Sequence, residues 1–327
     1  MKNKNEKLTE HVQQLLKERG TKALETAKKA ILEEKLTCKE VSEALRYFTE
    51  YWNDLARPTL ISICCEAVGG KPDITIPIAT SMTLICGATD IHDDIIDRSE
   101  RKLSRLTVFG KFGKDIALLV GDALLFKGFL LLHKAGENIP AEKMTQVCNV
   151  ISNMFFEMGD AEALELKLQG RMDVAPQEYL SIIKMKAADV EACARIGAIL
   201  GNSSEKEMDS LGKYGRMLGT ILVLRDDLAD TSDYEEASHR IKNEPLPLPI
   251  LLALQNPETK SKISPFILKG KIERKDVETV FEIVSNAGGV ERLTEIINEV
   301  LLNAYFHIKT VPTKKHLTVL IQAATYL

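Results

Sequence analysis

Apolar residues recur along this chain at intervals of three and four, the spacing of one face of an α-helix, and no segment shows the strict alternation of a strand. Glycine and proline interrupt the pattern at Gly69-Gly70-Lys71-Pro72, at Gly136 to Pro140, at Pro176, at Gly201-Asn202 and in the Pro245/Pro247/Pro249 series. Those interruptions predict helix boundaries. No Ser/Gly-rich or Pro-rich linker and no fixed-period repeat divides the chain. The pattern therefore predicts a single all-α domain over residues 1–327, a helical bundle of about ten helices. Thr231 to Pro249 is the least helical piece between strong helices, and its charge and turn residues read as a mobile loop over a site.

Two stretches break the apolar pattern in the same way. "TDIHDDIID" (Thr89 to Asp97) and "LVLRDDLAD" (Leu222 to Asp230) each place three carboxylates on a helix that should be buried. Asp93 and Asp97 lie one turn apart on one face, with Asp94 beside them, and Asp226, Asp230 and Asp227 repeat the arrangement. Like charges at that spacing repel, so each cluster calls for a counter-charge. Divalent metal meets the need: Mg²⁺ takes oxygen ligands, keeps waters, and binds through one or two carboxylates together with phosphate oxygens. All-carboxylate sites of this kind do not suit zinc.

Composition narrows the alternatives. With 45% hydrophobic and 28% charged residues, a net charge of −4 and pI near 6.0, the chain offers no basic footprint for nucleic acid. The six cysteines contain no CxxC and read as small buried hydrophobes of a reducing compartment. The charged N-terminus lacks the apolar centre of a signal peptide, which points to the cytoplasm. The longest apolar run, "IALLVGDALLFKGFLLLH" (Ile116 to His133), carries Asp122 and Lys127. It reads as a buried core helix and not as an integral membrane span.

"HDDIID" followed by "DDLAD" resembles the two aspartate-rich motifs of the trans (E-type) isoprenyl diphosphate synthases, the polyprenyl synthetase family. Further pieces fall in the family's order: "ARP" (Ala56 to Pro58), "TVFGKFG" (Thr107 to Gly113), "GDALL" (Gly121 to Leu125), "YLSIIKMKAA" (Tyr179 to Ala188), "YGRMLG" (Tyr214 to Gly219) and "LPILLAL" (Leu248 to Leu254). The resemblance covers roughly residues 45–300. It implies the isoprenoid-synthase fold, with the two motifs facing across a deep apolar cavity, and a homodimer. Asp93, Asp94, Asp97, Asp226, Asp227 and Asp230 would then bind Mg²⁺, three ions with bound diphosphate, and act in catalysis. Lys186 matches the lysine that contacts the allylic diphosphate. His92 matches a family histidine and reads here as a packing or supporting residue. Arg240 and Lys242, in the expected loop, could reach the diphosphate. Small residues before the first motif, Ala88 and Thr89, leave room for a prenyl chain of about C20 or longer, unless Ile85 or Met82 closes the floor.

Departures from the family pattern share a direction. Asp54 and Leu55 stand where Lys and Arg are expected before Arg57-Pro58, and the family's Arg-Arg becomes Lys102-Leu103. Phe109 replaces a His, Leu222-Val223 a Phe-Gln pair, and Ala187 a Thr, while a late Gly-Lys pair is missing. Replacing Lys by Asp turns attraction for a diphosphate into repulsion. The leading expectation is thus a terpene-synthase-like enzyme that ionises an allylic prenyl diphosphate and releases a hydrocarbon or alcohol plus diphosphate. The alternative is a divergent chain-elongating synthase using isopentenyl diphosphate, with Arg57, Arg101, Lys102 or Arg105 as substitute cations. A third reading is a prenyltransferase to another acceptor. The intact aspartate motifs argue against a purely structural partner subunit.

Overall fold

In the computed structural model, residues 2–102, 105–269 and 272–324 are described. They form fifteen α-helices in chain order: α1 (Lys2–Leu32), α2 (Lys39–Tyr51), α3 (Ala56–Ala67), α4 (Ile76–Ile96), α5 (Val108–Gly136), α6 (Ala141–Leu166), α7 (Pro176–Lys186), α8 (Ala188–Leu200), α9 (Glu205–Ser232), α10 (Tyr234–Asn243), α11 (Leu248–Ala253), α12 (Pro257–Ile267), α13 (Arg274–Asn286), α14 (Gly289–His307) and α15 (Lys315–Ala324). The sole sheet among the described residues is a hairpin of β1 (Arg101–Lys102) and β2 (Arg105–Leu106), paired antiparallel with Arg101 opposite Leu106. Leu103, one of the departures from the family pattern, lies outside the described residues.

Backbone packing gathers the chain into two compact units. One comprises Met1–Ser152, Ala192–Gly212 and Ile308–Leu327, the other Asn153–Glu191 and Lys213–His307.

The first unit is built on α4 and α5, with α1, α2 and α3 packed around them and α15 against α1 and α3. Every residue of α4 from Ile78 to Ala88 is buried, as expected of a helix that is apolar all round. Two glycines of α5 let it approach closely. A Cβ on Gly121 would lie 2.4 Å from His92 Nε2, and one on Gly128 would lie 2.7 Å from Ile85 Cγ1. Gly121 and Gly128 are two turns apart on one face, so the pair forms a notch that receives α4. The opposite face of α5 differs from expectation: Leu118, Leu119, Phe126, Phe129 and Leu130 are exposed, so the run read as a buried core helix is buried on one side only. Both Pro72–Ile96 and Val108–Gly136 are long and apolar enough to cross a membrane by length and composition.

In the second unit, α11 packs against α7, α13 and α14, and α13 lies against α10, α12 and α14. Leu248, Leu251, Val277, Val284 and Leu293 are buried there. The segment from Thr231 is helical where a loop is expected. The α9 helix continues to Ser232, and Asp233 caps α10 by accepting from the N–H groups of Glu235 (2.8 Å) and Glu236 (3.1 Å). The cap and the burial of Ala237 and Ile241 make an amphipathic helix of a charge-rich stretch. None of the six cysteines is in a disulfide; Cys64, Cys65, Cys86 and Cys193 are buried as expected, whereas Cys38 and Cys148 are exposed.

Candidate active site

The first acid cluster occupies the last turn of α4, with Asp97 as its C-cap. Carboxylates there face the negative end of the helix dipole, so position alone disfavours their charge. Carboxylate oxygens of Asp93 and Asp97 come within 4.8 Å of one another, a spacing that could hold a divalent cation between them. Asp94 turns inward and is buried. The chain then turns at Arg98, whose φ is 56°, into β1, where Lys102 Nζ lies 2.7 Å from Asp94 and 3.7 Å from Asp93. Burial pushes the Asp94 carboxyl up to about 6, against the pull of Lys102. Thr107 secures the hairpin: its hydroxyl donates to the Ser99 carbonyl (2.7 Å) and accepts from Gly110 N–H (2.9 Å). His92, in the notch at Gly121, lies 3.4 Å from Asp122, so its place is one of packing and support.

The second cluster repeats the plan near the end of α9. Asp226 is exposed, Asp230 is half-buried, and Asp227 is buried. Both carboxylate oxygens of Asp227 accept from protein donors. Its Oδ1 accepts from Arg240 Nη1 (2.7 Å) and the Tyr179 hydroxyl (3.3 Å), and its Oδ2 accepts from Leu248 N–H (2.8 Å) at the start of α11. Arg240 Nη1 also donates to Asp230 (2.9 Å) and Nη2 to the Tyr179 hydroxyl (2.8 Å). The Asp226 carboxyl is pushed up to about 6, first by desolvation and then by the charges of Asp230 and Asp227. In both clusters the middle aspartate is the buried one, and a later basic residue returns to neutralise it.

Other expected site residues are engaged elsewhere. Arg57 pairs with Asp54 (3.0 Å) and lies bidentate on Asp90 (3.2 and 3.1 Å). Arg105 stacks over the Tyr51 ring, 4.2 Å from its centroid, and Arg101 is exposed on β1. In the second unit Lys186 closes α7 and pairs with Glu165 (2.6 Å) and Glu162 (3.2 Å). Lys242 is exposed; its carbonyl accepts from Gln169 (3.3 Å). Arg240, expected in a loop within reach of the diphosphate, lies instead in α10, its side chain only 7% exposed and bound to Asp227 and Asp230. Of the chain-length residues, Met82, Ile85 and Ala88 are fully buried, Ala88 among Trp52, Leu84 and Val120. Thr89 is half-buried, its hydroxyl donating to the Cys86 carbonyl (2.8 Å).

Several functional neighbours escape sequence reasoning. Arg216 joins Glu157 (2.8 Å) and Glu191 (2.5 Å) and caps the C-terminus of α7 through the Lys184 carbonyl (2.6 Å). It thereby fixes the turn that presents Lys186. Arg216 lies in "YGRMLG", a motif quoted for its order alone, and Tyr179 opens "YLSIIKMKAA"; neither carries a local sign of its partners.

The chain matches the model of the polyprenyl synthetase family over residues 38–284. The chain belongs to the polyprenyl synthetase family. It is an enzyme of that family and has the all-α isoprenoid-synthase fold. It is 31% identical over 243 residues to the octaprenyl diphosphate synthase of Escherichia coli (strain K12), covering 72% of this chain and 73% of that protein. It is also 31% identical over 208 residues to the geranylgeranyl diphosphate synthase of Methanosarcina mazei, over 63% of this chain, and spans 64% of that relative's length. The geranylgeranyl pyrophosphate synthetase from Pyrococcus horikoshii Ot3 superposes with a TM-score of 0.84 at 26% identity, over 99% of this chain and 98% of that one.

Adjacent aspartates of the second cluster should respond oppositely to neutralisation. Asp227→Asn strips a buried partner from Arg240 and should destabilise the fold by about 3 kcal/mol in denaturant titration. Asp226 holds its proton up to about pH 6, above the ordinary 3.8. It therefore supports the folded state below that ordinary value and withdraws the support as pH rises through 6. Asp226→Asn should raise the melting temperature at neutral pH, with the gain gone by about pH 4. A gain that persists at the lower pH would contradict this account of the cluster.

Proposed function

We propose that this chain is a Mg²⁺-dependent, chain-elongating trans-prenyl diphosphate synthase that acts as one catalytic domain. The observation that carries the reading is the doubled acid cluster, each with its middle aspartate neutralised from within, with the Asp93 and Asp97 carboxylates within 4.8 Å of one another and Asp226 exposed. The names of the relatives, a geranylgeranyl and an octaprenyl diphosphate synthase, reverse the order of the two leading expectations. Ionisation with no isopentenyl diphosphate gives way to elongation, with a product of geranylgeranyl length or longer.

The chemistry asks little of the side chains beyond position and charge. The allylic C–O bond breaks and the electron pair leaves with diphosphate. The resulting allylic cation is attacked by the double bond of isopentenyl diphosphate, and a proton is lost to restore an alkene. Bound Mg²⁺ supplies Lewis-acid stabilisation of the leaving diphosphate. Asp93 and Asp97 would hold the ions, and Lys186, kept in place by Glu162, Glu165 and the Arg216 cap, would add a cation for the diphosphate. No protein nucleophile is required.

A second reading, turnover of the allylic diphosphate without isopentenyl diphosphate, is favoured by one observation. Arg57, a substitute cation for the second diphosphate, is held between Asp54 and Asp90, and Lys102 is likewise spent on Asp94. A homodimer belongs to the main reading, supported by the exposed Leu118, Phe126 and Leu130 along one face of α5.

Purified protein with Mg²⁺ and C10, C15 or C20 allylic diphosphates should yield longer diphosphates only when isopentenyl diphosphate is added. Hydrocarbons or alcohols formed in its absence would establish the second reading. Light scattering should show a dimer that Phe126→Asp combined with Leu130→Asp converts to a monomer. A wild-type monomer would remove that face from the interface.

A further inference from the structure

Arg240 sits in the second acid cluster as a metal ion would. Its guanidinium spans Asp227 (2.7 Å) and Asp230 (2.9 Å) through one nitrogen, binds the Tyr179 hydroxyl (2.8 Å) through another, and faces Glu244 (3.3 Å) with Nε. Its side chain is 7% exposed and that of Asp227 is 2% exposed. Around it the fold is closed: Asp227 also accepts Leu248 N–H, and α10 is capped by Asp233 at its far end. An arginine in such a position cannot leave for solvent without stranding Asp227 and Tyr179 in a buried pocket.

We infer that Arg240 is a resident counter-cation that takes the place of one divalent ion at the second cluster. The inference rests on the metal reading of the acid clusters and narrows it. Arginine touches two of the three carboxylates and leaves Asp226 as the one member it does not touch. Metal affinity rises with the number of carboxylates a site can offer, so the second cluster of the wild-type chain is a poor divalent site. Binding concentrates on Asp93 and Asp97. The first cluster differs in kind, because its returning cation, Lys102, is 55% exposed and is a point charge on a flexible stem that can swing aside.

The test is Mn²⁺ binding to the full chain without substrate, followed by electron paramagnetic resonance of the free ion. Arg240→Met should bind one additional Mn²⁺ per chain, or bind it about tenfold more tightly, while Arg240→Lys should match wild type. Asp226→Asn, whose side chain holds no buried partner, should leave wild-type Mn²⁺ binding unchanged and abolish the gain when combined with Arg240→Met. Equal stoichiometry and affinity in wild type and Arg240→Met would overturn the inference. So would the loss of one Mn²⁺ from Asp226→Asn alone, a result that stands even where the Arg240 variants fail to fold. Asp93→Asn is the separate control on the metal reading: it lowers Mn²⁺ binding if that reading holds, whatever Arg240 does.

Discussion

A carboxylate buried near the C-terminal end of a helix is opposed twice, by its lost hydration and by the helix carbonyls that crowd around it. This chain buries two such groups, Asp94 and Asp227, and much of its local architecture follows from meeting that demand. After α4 the backbone turns at Arg98, whose φ is 56°, and β1 carries Lys102 back to Asp94. After α9 it breaks at Asp233 and forms α10, which brings Arg240 back to Asp227. The first return delivers a half-exposed lysine and the second a buried arginine. The two acid motifs look alike in sequence, yet differ in how firmly their charge is already satisfied.

The helical class was legible because periodicity is a property of neighbours in sequence, and the six aspartates were legible because a repeated DDxxD in apolar surroundings needs a reason. The pairing of charges was not. Nothing local marks Arg240 as a partner of Asp227 and Tyr179, since contacts across long separations are made by the fold. The α10 start does carry a local sign: Asp233 followed by Glu235 and Glu236 is a helix-start pattern, within a stretch whose charge and turn residues read as a loop. Because α4 is apolar all round, no pattern tells which face meets protein, and Ala88 turned out to lie in the packed core where an open pocket is expected. The long apolar run of α5 misled for the converse reason, since a helix that is apolar on both faces can bury either one.

The departures before the first motif acquire a physical meaning from Arg57. Aspartates at 54 and 90 flank it, so a lone arginine is answered by two acids. The three form one unit, in which Asp54 and Asp90 each make sense only with the other residues present. A lysine restored at position 54 in isolation would meet a guanidinium already held by Asp90.

Trp52 is the single tryptophan of the chain. It is 6% exposed, beside Phe48, and its ring lies where a Cβ on Gly87 would fall, 2.6 Å from Cζ2. Gly87 precedes Asp93 on the same helix by about 9 Å of rise. The protein thus carries its own optical label against the helix that bears the first acid cluster. Intrinsic fluorescence from one known residue can follow events at α4 with no dye attached and no second indole to confuse the signal.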